Sequence, residues 1–124
     1  MGLSKELTTM DPALHIQTLR RLMDEHPNLY LDLSWRVLQD TYFSNEPVRN
    51  QYVKFIDQYS SRIIPGTDFV ASRNKDFSVY GAELDATSRI NKYLSDNAFR
   101  DIALGQSYFT LVGLPDQAPP MCAA

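Results

Sequence analysis

The sequence predicts an α/β fold built on one βαβ unit, and three observations predict it. Asn28-Leu29-Tyr30-Leu31-Asp32-Leu33-Ser34 alternates aliphatic and mixed polar residues with the period of a strand. Arg62-Ile63-Ile64-Pro65-Gly66-Thr67-Asp68-Phe69 reads as a second, short and buried strand that breaks at Gly66 and carries a carboxylate at its C-terminal end. The segment between them has the length and apolar spacing of a crossover helix, so the two strands are expected to run parallel. Strand C-terminal ends are where open and closed α/β sheets place their chemistry.

Taken in order, the chain opens with a polar lead from Met1 to Met10, and Asp11-Pro12 marks a helix start, Asp11 as cap and Pro12 at the first helical position. Leu14, Ile16, Leu19, Leu22 and Met23 supply an apolar stripe until His26-Pro27 ends the helix. The strand over residues 28–34 follows, and after Trp35 a looser segment is expected to run to Asn45. Glu46-Pro47 begins the crossover helix, with Val48, Tyr52, Phe55, Ile56 and Tyr59 on its buried face. Beyond the strand of Arg62 to Pro65, a polar loop from Thr67 to Lys75 leads to a long helix from about Asp76 to Ser95. A further helix from Asp96 to Leu104 is stopped by Gly105, and Gln106 to Leu114 adds a last turn or two. Residues 115–124, with three prolines and small residues, read as a disordered tail after a single domain over residues 1–114.

Composition narrows the function classes. A chain of 124 residues, 44% hydrophobic and 22% charged, has the makings of one globular domain. Its net charge of −3 argues against a nucleic-acid surface. The one cysteine, Cys122, lies in the tail and excludes an internal disulfide framework or a cysteine metal cluster. No apolar run approaches the roughly 20 residues a bilayer requires, and the N-terminus lacks a signal-peptide pattern, so a cytoplasmic protein without membrane contact is expected.

Among candidate site residues, Asp68 comes first. A carboxylate just past a buried strand can bind a metal or take a proton from water, although an Asp in a turn also commonly hydrogen-bonds its own backbone. Asp32, on the polar face of its strand, points into a pocket or makes an internal salt bridge. Ser34 and Trp35 stand just beyond the same strand end as a pocket wall for substrate, and Arg73, with Lys75, lies in the loop after Asp68 where it can attract an anionic substrate. His15 and His26 read as structural. No His-x-His or His-Glu-x-x-His spacing occurs, so Asp68 would be a lone metal ligand. Gly-x-Gly-x-x-Gly, P-loop, Gly-x-Ser-x-Gly and Cys-His patterns are also missing.

Residues 28–34, then 62–69, then Asn97-Ala98-Phe99-Arg100-Asp101-Ile102-Ala103-Leu104-Gly105-Gln106-Ser107-Tyr108-Phe109 resemble the closing third of the metal-dependent amidohydrolase-related barrels. There a Pro-Asn-hydrophobic-Tyr-hydrophobic-Asp strand is the seventh, a Gly-Thr-Asp strand the eighth, and an Ala-x-x-Ile-x-x-Gly-Asn segment follows. The resemblance covers nearly the whole chain and implies a partial TIM (β/α)8 barrel: the last two parallel strands, their helices and a C-terminal helical segment. It makes Asp68 similar to the last-strand aspartate that touches the catalytic metal or its water. Gln106 departs from the usual Asn. The family's histidine ligands would lie before Met1, so the resemblance implies a fragment that is inactive alone, whose full-length form uses a divalent metal such as zinc on a small-molecule substrate. Hydrolysis of amide, ester or lactone bonds and decarboxylation of carboxylic acids are both open to it. Two other readings stand beside it: a small non-catalytic α/β interaction module that pairs strand edges in a homo-oligomer, and a mostly helical interaction protein.

Overall fold

The computed structural model describes residues 10–34 and 36–121. Its first helix, α1 (Pro12–Glu25), starts where Asp11 Oδ1 accepts the Ala13 N–H at 2.8 Å. Ile16 and Met23 are buried on its inner face, with Leu19 partly so. Leu14, assigned to the same stripe by its spacing, is 54% exposed. At 3.6 residues per turn it sits about 200° around the helix from Ile16 and cannot share its face.

Strands β1 (Leu31–Asp32) and β2 (Ile63–Ile64) pair in parallel, Leu31 opposite Ile63 and Asp32 opposite Ile64, and the Leu33 N–H extends the ladder to Ile64 O at 3.0 Å. Both are far shorter than the segments 28–34 and 62–65. Two local chemistries stop the ladder. Asp32 Oδ1 takes the Ser34 N–H at 2.7 Å and turns the chain, while Pro65 has no N–H to donate.

The expected partial TIM (β/α)8 barrel is overturned. Of the described residues 63% are helical and 4% are in strands, with this one two-stranded pair as their sheet. The outer edge of β2 explains why pairing goes no further. Ile63, with no exposed surface, gives its N–H to Ser60 O, and its carbonyl oxygen lies 2.6 Å from Ser107 Oγ. A third strand would find both groups already used.

Helices cover this pair. The segment expected to be loose is helical: α2 (Arg36–Leu38) runs into a π turn (Gln39–Phe43) closed by the Ser44 N–H on Gln39 O at 3.0 Å. Gln39 is buried there because its Nε2 reaches Thr87 O at 3.1 Å. Helix α3 (Glu46–Tyr59), capped by Asn45, buries Tyr52, Phe55, Ile56 and Tyr59 as the spacing predicts. A short 3-10 turn (Ser60–Arg62) leads into β2.

Helix α4 (Phe77–Ser88) is capped by Asp76, whose carboxyl is held below its usual range by the Ser78 hydroxyl and then by the Val79 and Ser78 amides. It ends at Ser88 instead of reaching Ser95 and passes into a 3-10 segment (Arg89–Tyr93). Helices α5 (Asp96–Ile102) and α6 (Gln106–Val112) follow. α6 lies between Gly105 and Gly113, both left-handed, and the Leu114 N–H returns to Phe109 O as a Schellman closure. Residues 115–121 have no regular secondary structure, yet Ala118 is buried and its N–H donates to Gln106 Oε1 at 2.9 Å. Cys122 lies outside the described residues.

Ser107 is buried, and its Oγ also lies 2.8 Å from Asp101 O, so one hydroxyl joins α5, α6 and β2. Ser107→Ala strips a buried carbonyl of its partner and is expected to cost about 1–3 kcal/mol. Urea unfolding with an unchanged m-value measures it, and a loss under about 0.5 kcal/mol, the range of an ordinary surface change, would remove this role from Ser107.

Candidate functional site

A cleft of about 570 Å³ opens at the C-terminal ends of β1 and β2. Leu33 and the Pro65-Gly66-Thr67 run form its strand-side wall; Tyr80 and Ser88 on α4, with Asn91 in the 3-10 segment, form the other. Gly66 is there because nothing larger fits. A Cβ on it would lie 2.7 Å from Ser34 Cβ and 2.8 Å from Asp32 Oδ1. The β1 end and the Gly-Thr-Asp turn therefore pack backbone against side chain, and that contact fixes the lip of the cleft.

Asp68 follows directly. It is exposed, with φ 52°, the one non-glycine residue with positive φ among those described. Asp tolerates this left-handed backbone better than most residues, but it is still sparsely populated and is the kind of local strain that accumulates at functional turns. The carboxylate is not part of the cleft wall, which stops at Thr67.

The other expected site residues are dispersed. Ser34 is partly buried beneath Gly66 instead of lining the cleft, and its neighbour Leu33 takes that place. Arg73 is exposed at the centre of a turn closed by the Lys75 N–H on Ser72 O at 3.1 Å, away from the wall. Trp35 lies outside the described residues. Phe69 ties the loop to the cleft, packing edge-on against Tyr80 with ring centroids 5.5 Å apart. Tyr80, Ser88 and Asn91 carried no sequence signal, because they reach the cleft only through the docking of α4.

Among the described residues no three His, Cys, Asp or Glu side chains converge as a metal site would need.

A second hollow of about 400 Å³ lies between α1, β1 and α3, walled by Leu19, Leu22, Leu31 and Phe55. Its polar lining includes Thr18, Asp32, Tyr52 and His15, whose Nδ1 is 2.7 Å from the Tyr52 hydroxyl. Burial lowers the His15 pKa from its ordinary value and raises those of Tyr52 and Tyr42. The tyrosine hydroxyls are thus kept neutral, and His15 packs as a neutral ring against both of theirs.

Comparisons with protein-family models, curated proteins and solved structures each return no match for this chain. No described helix is long and apolar enough to cross a membrane. Fold and site together define a mostly helical chain with an open strand-end cleft whose lip is set by Gly66, with Asp68 next in sequence to the wall residue Thr67.

Gly66→Ala is expected to lose about 1–3 kcal/mol by overpacking against Ser34 and Asp32, read as a lower urea midpoint; an unchanged midpoint would show that the lip has slack. His15 sets a pH window. Its folded pKa lies below the ordinary 6.5 of the unfolded chain, so below that value the unfolded state holds a proton the native state refuses. The stability is complete above 6.5 and declines as pH falls toward the depressed folded value. Urea midpoints of wild type and His15→Gln should converge over that descent; parallel curves would exclude His15 as the source.

Proposed function

We propose that this chain provides the strand-end carboxylate of a small-molecule hydrolase of the amidohydrolase-related kind, acting in the cytoplasm, with the remaining catalytic groups on polypeptide outside the described residues. The observation that carries the reading is Asp68 itself: a carboxylate held in left-handed backbone one residue past the Gly66-Thr67 lip of a cleft at the ends of parallel strands. The resemblance of residues 62–69 to a Gly-Thr-Asp strand end supports it. The barrel is not part of this reading.

In the proposed role Asp68 accepts a proton from water as the water oxygen attacks a substrate carbonyl carbon, and the proton then passes to the departing oxygen or nitrogen. The step is written for this chain's own residues. Hydrolysis of a neutral amide, ester or lactone is favoured over decarboxylation, because no charged side chain lines the cleft to receive a substrate carboxylate.

Reading the transcript upstream of the Met1 codon tests the proposal. The expected result is an in-frame extension that supplies further catalytic side chains, histidines among them. In the chain so extended, Asp68→Asn should lower kcat by about 10²–10⁴-fold, the usual contribution of a positioned acid or base, with KM little changed. A stop codon immediately upstream, with the 124-residue chain folded as a monomer, or an Asp68→Asn variant with full activity, would overturn it.

A further inference from the structure

On the far side of the 3-10 segment from the cleft lies a hollow of about 240 Å³, walled by the π turn and by Arg49, Arg89, Lys92 and Tyr93. Three cations around one small hollow are unexpected in a chain of net charge −3. Their pairing is uneven. Arg89 is bound to Asp85 at 2.7 Å, and the acid in the wall, Asp40, is held by Arg36 at 3.2 Å. Among the described residues neither Arg49 nor Lys92 has a carboxylate partner.

Both are nevertheless held in place. The Arg49 guanidinium carbon stands 3.9 Å from the centre of the Tyr93 ring, and its Nη1 donates to Phe43 O at 3.3 Å. Lys92 Nζ lies 4.9 Å from the centre of the same ring. One aromatic ring thus serves two positive charges, which lowers the conformational entropy that either cation loses on binding. Arg49 Nε is buried without a hydrogen-bond partner, so the guanidinium has donor capacity that the fold does not use. The Phe43 carbonyl that orients it belongs to the π turn, a helical irregularity that recurs at functional sites.

We propose that this hollow binds a phosphate group, either as inorganic phosphate or at the end of a small phosphate ester. A planar guanidinium beside a compact ammonium is the pairing that a tetrahedral oxyanion uses, the first for direction and the second for charge. Tyr93 already has its face toward cations, so the ligand's remaining part need not be aromatic. The site is independent of Asp68 and of the proposed hydrolysis.

The full 124-residue chain, labelled with nitrogen-15, is titrated at constant ionic strength with inorganic phosphate, glycerol phosphate or chloride. Phosphate should shift the amides of residues 39–44 and 89–93 saturably, and chloride should not. Lys92→Gln, a surface change that leaves the core intact, should weaken binding about tenfold, the value of one hydrogen bond to a charged group. Arg49→Gln should weaken it at least as much, and if that variant does not fold, Lys92→Gln decides alone. Tighter binding of glycerol phosphate identifies an ester as the ligand, and equal binding identifies free phosphate. Absence of saturation, equal shifts with chloride, or Lys92→Gln that binds as wild type would overturn the proposal.

Discussion

Closure of the β2 edge is the constraint from which the rest of the architecture follows. Ile63 is wholly buried, and its outward N–H and carbonyl are satisfied by Ser60 and Ser107 in place of a neighbouring strand. Ser60 Oγ in turn donates to Asp101 Oδ2 at 2.5 Å, and Asp101 O lies within reach of Ser107 Oγ. Three short polar side chains therefore lock the end of α3, the strand, α5 and α6 into one junction. Because these groups are buried, each would be costly without its partners, so the junction forms as a whole or not at all. That cooperativity converts what reads as the beginning of a larger sheet into a helical fold with a two-residue ladder.

How much of this was legible follows from how local each cause is. Asp11, Asp76 and Ser95 cap helices through amides two or three residues away, so the starts of α1, α4 and α5 could be read from the sequence to within a residue or two. The apolar stripe of α3 was legible for the same reason, and parallel pairing followed from one intervening helix. The partners of Gln39 and Ser107 lie 48 and 44 residues away, and no pattern in the chain announces them. Leu29, Leu31 and Leu33 do alternate, but alternation records only which face is apolar. Ladder length was decided by the Asp32 side chain and by Pro65.

The site shows the same division. Gly66 was recognisable as a break, while its actual role, yielding space to Ser34 and Asp32, needed both strand ends in view. Asp68 was singled out by its position after the strand, and its left-handed backbone adds an independent reason to attend to it. Ser34 and Arg73 were chosen by nearness in sequence to strand ends. In a fold where a helix forms half the cleft, nearness in sequence misses half of the wall.

The 3-10 geometry after Ser88 explains how two hollows of opposite character share one segment. In a 3-10 helix there are three residues per turn, so residues three apart eclipse. Ser88 and Asn91 accordingly line the uncharged cleft, Arg89 and Lys92 both line the basic hollow, and buried Ile90 stands between them as a wall of each. Had α4 continued as an α-helix to Ser95, each such pair would have been offset by about 60° around the axis, spreading the cations toward the cleft. The change of helix type therefore acts as a charge separator: it keeps one face neutral for the strand ends and gathers the positive groups on the other.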